Sequence, residues 1–379
     1  MARVGITGSY GGCNLGDEAI LASMVTQLRA SLPGVEISVF TPDPEDTLTR
    51  HGVERAPYNV GVGRDDLLSE IEGLDLLIVG GGGILYDYWL QEHLREMQLA
   101  LEAGVRVMVY AVGVGPLADS SIKRALTQAL LQADAITVRD LRSRHALEKL
   151  GVDGRVLVTA DPALLLKPEP LPDDALTREG LTDKERVVGM SVREPGPAAP
   201  DIDVEVYHAQ LAGAADYMIE RFDADVVFVP LEPQVQDVRH SHAVISKMQR
   251  PQRASVLKGE YSSQQLLSLV RHLNFAVGMR LHFLIFAALQ RVPFVALPYA
   301  SKVMGFVEEL QMETPPLQNL SIGQLLAYID RSWDRQEALR SLVDRGLPQL
   351  QERARDNNRL VIQVLEGVVT STEKAGAAP

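Results

Sequence analysis

Short apolar runs rich in Val and Ile alternate along the chain with stretches of helical periodicity, the signature of parallel sheets covered by helices. The runs predict strands at Arg3–Thr7, Glu36–Phe40, Leu74–Val79, Arg106–Val112, Ala135–Val138 and Arg155–Thr159, a first α/β domain over residues 1–170. KPEPLPDD, Lys167 to Asp174, breaks both periodicities with three prolines. A second series then follows at Val187–Val192, Val226–Pro230, Ala254–Leu257, Asn274–Val277 and Phe294–Leu297, a second α/β domain over 180–345. The hinge is expected near 165–185. Beyond Ser321 the pattern is helical, with a long C-terminal helix at 346–370 and a flexible tail at 371–379. No repeat of solenoid period is present.

In an open parallel sheet, ligands gather outside the carboxyl ends of the strands, so the residues just after each apolar run carry the chemistry. The run ending at Val277 continues as GMRLHFLIFAALQ. In extended backbone Arg280 and His282 share one face while Met279 and Leu281 turn to the core, and an apolar helix then aims free N–H groups at the same opening. The competing reading is structural: an Arg at a strand end meets a carboxylate, and a His in an apolar segment is a hydrogen-bonded core residue. Two other strand ends supply Arg193, in VVGMSVREPG, and Lys302, in PYASKVMGF. Three cations and an imidazole thus come from three strand ends of one sheet. Arg matches carboxylate and phosphate with a planar fork, so this set suits a ligand bearing both groups.

The first domain has two glycine-rich segments after strands. GSYGGCNLGDEAIL does not match the dinucleotide fingerprint, since its glycine spacing differs and no acid ends the second strand. Asp17 and Glu18 begin a helix and either cap it or bind hydroxyls; Asn14 is a turn residue or a third polar ligand. GGGGILYD is expected as a second turn, with Gly82 and Asp87 on a roomy, polar-edged crevice suited to a sugar. Arg139, Asp140 and Asp161 also fall at strand ends and are alternatively a tie between the domains.

Composition narrows the classes. The net charge of −13 argues against nucleic acid as a partner and leaves any anion to a local cluster of cations. The single cysteine, Cys13, excludes an intrachain disulfide and a multi-cysteine metal site, and suits the cytoplasm. His240 and His242 are the one pair with ligand-like spacing and are expected to face solvent on a polar helix, so no metal is implied. No apolar run reaches the roughly 20 residues of a membrane helix, and the amino terminus has no signal-peptide architecture.

The segments GSYGGCNLGDEAIL, GGGGILYD, ITVRDLRSRHALEKLGV, VTADPALLL, VVGMSVRE, VGMRLHFLIFAALQRVPFVALPY and SKVMGFVEEL resemble the polysaccharide pyruvyltransferase family. The likeness is closest to its bacterial branch acting on cell-wall polymers that anchor surface layers. The resemblance implies an α/β fold of two Rossmann-like domains facing across a cleft, glycosyltransferase-B-like, with mostly parallel sheets and C-terminal helices. It also implies transfer of pyruvate from phosphoenolpyruvate to two sugar hydroxyls as a ketal, with phosphate released and no cofactor. The family's R-L-H motif falls on Arg280, Leu281 and His282, its upstream arginine on Arg193 and its strand-end lysine on Lys302; PYASK departs from the common form at Ser301. His282 would be the general acid that protonates C3, Arg193, Arg280, Leu281 and Lys302 the phosphoenolpyruvate site, and Asn14, Asp17, Glu18, Gly82 and Asp87 the acceptor side. The closest branch implies N-acetylmannosamine in a lipid-linked disaccharide as acceptor, with peripheral contact at the inner membrane face. Two alternatives stay open: a nucleotide-sugar glycosyltransferase, with Glu308 and Glu309 on a ribose, and a non-catalytic glycan-binding protein.

Overall fold

The computed structural model describes residues 1–12, 14–86, 90–194, 203–232, 236–297, 301–314 and 321–368. Asp87, Tyr88 and the tail 371–379 fall outside these residues, as does the side chain of Ser301. The chain forms two compact units, Met1–Gly12 with Asp17–Leu166 and Leu350–Pro379, and Cys13–Gly16 with Lys167–Gln349.

In the first unit the elements run β1 Arg3–Thr7, α1 Leu15–Ser31, β2 Glu36–Phe40, α2 Pro44–His51, α3 Arg64–Ile71, β3 Leu76–Leu85, α4 Leu90–Glu102, β4 Arg106–Val114, α5 Ser120–Gln132, β5 Ala135–Val138, α6 Leu141–Glu148 and β6 Val156–Val158. The sheet order is β2-β1-β3-β4-β5-β6, every pair parallel. The second unit holds α7 Ala175–Arg178, β7 Val187–Ser191, α8 Val204–Phe222, β8 Asp225–Phe228, α9 Asp237–Ile245, β9 Ala254–Val256, α10 Ser263–Val270, β10 Phe275–Gly278, α11 Leu281–Leu289, β11 Phe294–Ala296, α12 Ser301–Glu309 and α13 Ile322–Asp334. Its sheet, also parallel, is ordered β11-β10-β7-β8-β9. The last helix, α14, spans Gln336–Leu365 and contains Pro348. It begins ten residues before the expected 346 because the stretch from Gln336 to Arg345 is rich in good helix formers.

Each predicted apolar run is a strand, within two residues at its ends except that β3 runs six residues past the expected Val79. Burial explains this: the central strands are covered on both faces, so β7 is buried at all five positions and β10 at all four. The one substantial departure is the four-glycine segment, which is not a turn. β3 continues through it to Leu85, pairing Gly80 with Tyr110 and Gly82 with Val112 before a register shift. Glycine is required because a β-carbon at Gly80 would lie 2.7 Å from Val112 Cγ1 and also overlap the Tyr110 carbonyl, and because φ there is +123°. A strand without side chains has no apolar signature.

Each sheet reverses its strand order once: between β1 and β3 in the first, between β7 and β10 in the second. Those switch points are where parallel sheets open a crevice. In the first unit α14 docks on strand ends through Asn357, fully buried, whose Oδ1 accepts from Thr137 Oγ1 at 2.6 Å and Thr159 Oγ1 at 2.8 Å. Its Nδ2 donates to the Ala160 carbonyl at 3.2 Å. Asn357→Ala removes three buried hydrogen bonds, leaving the Thr137 and Thr159 hydroxyls their longer bonds to the Val109 and Val138 carbonyls at 3.4 and 3.2 Å, and should cost about 1–3 kcal/mol, seen as a lower midpoint in urea unfolding; an unchanged midpoint would refute this account of the docking.

Candidate active site

The second unit's switch point gathers most of the predicted residues. β7 and β10 pair Ser191 with Gly278, and β10 and β11 pair Gly278 with Ala296. Arg193 and Arg280 thus each lie two residues beyond a paired position of adjacent strands. Arg280 is the extended residue that caps α11. Lys302 follows in the first turn of α12, after β11.

The structure departs from expectation at the arginine. Arg280 does not point into an opening: it is 5% exposed and its fork is occupied. Nε donates to Asp237 Oδ2 at 3.0 Å and Nη2 to Asp237 Oδ1, while Nη1 and Nη2 donate to Glu232 Oε1 and Oε2 at 3.0 and 2.6 Å. Burial opposes the charge, but Asp237 and Glu232 together push the guanidinium above its ordinary value. The reason for the departure is that the residue turns from strand to helix cap at Arg280, which drops its side chain onto the β8–α9 loop.

Glu232 and Asp237, the partners of Arg280, are the residues of this cluster that the sequence pattern did not single out. Both follow the apolar run VVFVPL of β8, next to β7, so the strand-end rule that found the arginines would have found them. Asp237 is fully buried, and its Oδ2 also accepts from the backbone N–H groups of Leu231 at 2.9 Å and Glu232 at 3.2 Å. Burial would raise the Glu232 carboxyl, but Arg280, then Arg193 and Lys302, hold it below the usual carboxylate value. Three cations from the ends of three adjacent strands therefore bear on one carboxylate.

Asn14 belongs to this unit and lies at the same place. Its Nδ2 donates to Glu232 Oε1 at 2.9 Å and its Oδ1 accepts from Gly16 N–H at 3.0 Å, so it is a cap and an anchor. Leu281 is buried, at the first position of α11. His282 is next, half-buried, its imidazole against the backbone of Gly16. Arg193 Nε donates to the Glu194 carbonyl at 2.9 Å, and Tyr207 Oη supports the arginine's own carbonyl at 3.2 Å.

In the first unit Glu18 is 1% exposed, accepting from Gly11 N–H at 2.9 Å and meeting His51 Nε2 at 2.7 Å. It ties the glycine loop to α2 and is closed to a ligand hydroxyl, contrary to expectation. Asp17 is half-buried with its carboxylate against Gly82, so two residues expected on the acceptor side do meet. Arg139 and Asp161 pair at 3.1 Å inside this unit rather than tying the units together. His240, expected in solvent, is buried in the second unit, its Nδ1 2.8 Å from His208 Nε2. Among the described residues no group of three or more His, Cys, Asp or Glu is placed to hold a metal, and no helix is long and apolar enough to cross a membrane.

Comparison with known proteins accords with this geometry. The model of a family described as polysaccharide pyruvyl transferase matches residues 14–301. The amylovoran biosynthesis protein AmsJ of Erwinia amylovora is 22% identical over 312 residues, 79% of this chain and 74% of that protein. Among solved structures, S. aureus MnaA with UDP has a TM-score of 0.70 at 11% identity, covering 98% of this chain and 99% of that one. A glycosyltransferase from Rickettsia africae has 0.64 at 10% identity, covering 96% and 98%. A UDP-GlcNAc 2-epimerase from Neisseria meningitidis bound to UDP-GlcNAc has 0.62 at 9%, covering 97% and 100%. These structural likenesses carry the α/β fold with two parallel sheets, and nothing of substrate.

Two predictions follow from the Arg280 cluster. Asp237→Ala leaves a buried guanidinium short of its main counter-charge and should cost about 3–5 kcal/mol in urea unfolding; a loss within 0.5 kcal/mol, roughly the scale of an ordinary surface change, would show that Glu232 alone suffices. The Glu232 carboxyl is depressed below its ordinary 4.5, so its contribution is full above that pH and is lost as pH falls through the lower folded value. Glu232→Gln should therefore flatten the acid limb of the stability profile below about pH 4.5; an unaltered limb would count against the pairing.

Proposed function

This chain belongs to the polysaccharide pyruvyl transferase family, and from that premise we propose that it transfers the pyruvyl unit of phosphoenolpyruvate to two hydroxyls of one polysaccharide sugar. The product is a ketal and the second product is phosphate. The observation that carries the reading is the placement of Arg193, Arg280 and Lys302 at the ends of three adjacent parallel strands, with Arg280 bound to Glu232 at 2.6 Å, a gathering of cations that suits an anion. Arg280 is neutralised by its own two carboxylates, so it supplies shape and local field. Direct contact with phosphate and carboxylate falls to Arg193 and Lys302, with the N-terminal N–H groups of α12 beside the latter.

His282 protonates C3 of phosphoenolpyruvate, which turns the methylene into a methyl group and leaves C2 oxocarbenium-like. The first sugar hydroxyl adds to C2 and loses its proton. The C2–O bond to phosphate then breaks, Lys302 and Arg193 bearing the departing charge. The second hydroxyl closes the ketal. Two hydroxyl protons leave the sugar; one balances the proton gained at C3 and the other leaves with phosphate. Asp17, against Gly82, is the acceptor-side carboxylate of this proposal. Similarity to an amylovoran biosynthesis protein supports an acceptor made during polysaccharide assembly. A lipid-linked disaccharide with N-acetylmannosamine, met by a cytoplasmic enzyme at the membrane face, is the acceptor to try first.

The test is phosphate release and product mass with phosphoenolpyruvate and lipid-linked and soluble sugar acceptors. His282→Ala should lower turnover by about 10²–10⁴-fold with the fold retained, and Lys302→Ala should raise the KM for phosphoenolpyruvate. Consumption of a nucleotide sugar in place of phosphoenolpyruvate would overturn the reading in favour of glycosyl transfer.

A further inference from the structure

We infer that Gly16, in the first turn of α1, is a positioning residue for the His282 imidazole: the absence of a β-carbon at position 16 is what lets the ring take its place. The inference rests on the proposed role of His282 as proton donor, and its physical basis is local. A β-carbon built on Gly16 would overlap His282 Nδ1 and lie 2.6 Å from Cγ and 3.0 Å from Cβ of the same side chain. Real β-carbons essentially never come within 3.0 Å of another heavy atom, so ring or backbone would have to move.

The backbone is the part that is held. Leu15 N–H donates to the Leu231 carbonyl at 2.8 Å, and the Leu15 carbonyl accepts from Ser263 Oγ at 2.6 Å. Asn14 is fixed to Glu232 at 2.9 Å and accepts from Gly16 N–H itself. Anchors on the β8 loop and on α10 therefore pin residues 14–16 from two sides. The root of the imidazole is equally fixed, because α11 is buried from Phe283 through Ala288. With both backbones anchored, a methyl group at position 16 displaces the ring through the side-chain torsion of His282.

The backbone at Gly16 is helical and its φ is not in the left-handed region. Alanine is accordingly compatible with it and is the better helix former. The glycine has no conformational justification of its own, and its cost is offset only by the room it makes for the ring. Ring placement matters to the chemistry because proton transfer needs donor and acceptor near 3 Å, and a shift of about 1 Å costs on the order of 10²-fold in rate.

The experiment is a double-mutant cycle on the full chain with Gly16→Ala, His282→Ala and both together. Thermal stability is measured for all four proteins, turnover of phosphoenolpyruvate for the wild type and Gly16→Ala, and the His282 ring resonances are followed by NMR in those same two. Gly16→Ala alone should lower the melting temperature, displace the His282 resonances and reduce kcat about 10²-fold, with the KM for phosphoenolpyruvate changed less than threefold, about the spread among neutral changes. With His282 replaced by Ala only the 3.0 Å approach to Cβ is left, so the same change should lower the melting temperature by clearly less. Should Gly16→Ala fail to fold while the double variant folds, the positioning is likewise supported. An equal loss of stability in both backgrounds, or unmoved His282 resonances, overturns it. If no phosphoenolpyruvate is turned over by the wild type, the reaction reading fails, while the stability cycle and the resonances still decide the positioning.

Discussion

The buried carboxylate of Asp237 is the constraint on which the second unit's site depends. It takes four hydrogen bonds, two from the Arg280 guanidinium and two from the backbone of the β8–α9 loop. The first pair sets the plane of the arginine fork. The second pair sets the course of the loop, and with it the carbonyl of Leu231, which receives Leu15, and the side chain of Glu232, which receives Asn14. A buried ion pair is weak evidence of net stability, since the desolvation of two charges cancels much of their attraction. Its effect here is geometric: one carboxylate determines where an arginine, a loop and the start of α1 lie.

The two units solve the same problem with different residues. Both are parallel sheets whose order reverses once, and both crowd polar groups at the reversal. In the second unit the crowding is ionic. In the first it is made by backbone, with β3 carried through four glycines so that the strand passes close to Tyr110, and with Asp17 brought against Gly82. A charged cluster suits a small polyanion; a surface of backbone edged by one carboxylate suits neutral hydroxyls.

How far the sequence discloses this follows from what each residue needs. Strands covered on both faces must be apolar throughout, so every strand stood out except the glycine half of β3, whose residues carry no side chain to mark it. Arg193, Arg280 and Lys302 were legible because topology puts strand ends together. The pairing with two acids was not: Glu232 lies 48 positions before Arg280, in the loop after β8, and Asp237 43 positions before it, at the start of α9, where acids ordinarily serve the dipole. His240 sits in a polar-looking helix, and its partner His208 is 32 positions away on another. Pairings of this kind depend on which helix faces pack, and single-residue patterns do not encode that.

A chain with a net charge of −13 repels polyanions at long range, so the site must gain its affinity at short range. Arg280 shows how the cost of concentrating cations is contained. Three unpaired cations on neighbouring strand ends would repel one another; burying one of them on two carboxylates removes most of that repulsion and leaves Arg193 and Lys302 tolerable beside it. The arrangement separates two tasks that one arginine cannot perform together. The buried fork is held by its two carboxylates, and in the proposed reaction the outer cations, each half-buried, would meet the ligand. In the proposed reaction, a donor bearing phosphate and carboxylate would find its charges opposed by groups whose positions are set beforehand, which is the condition for stabilising charge as it develops on a leaving oxygen.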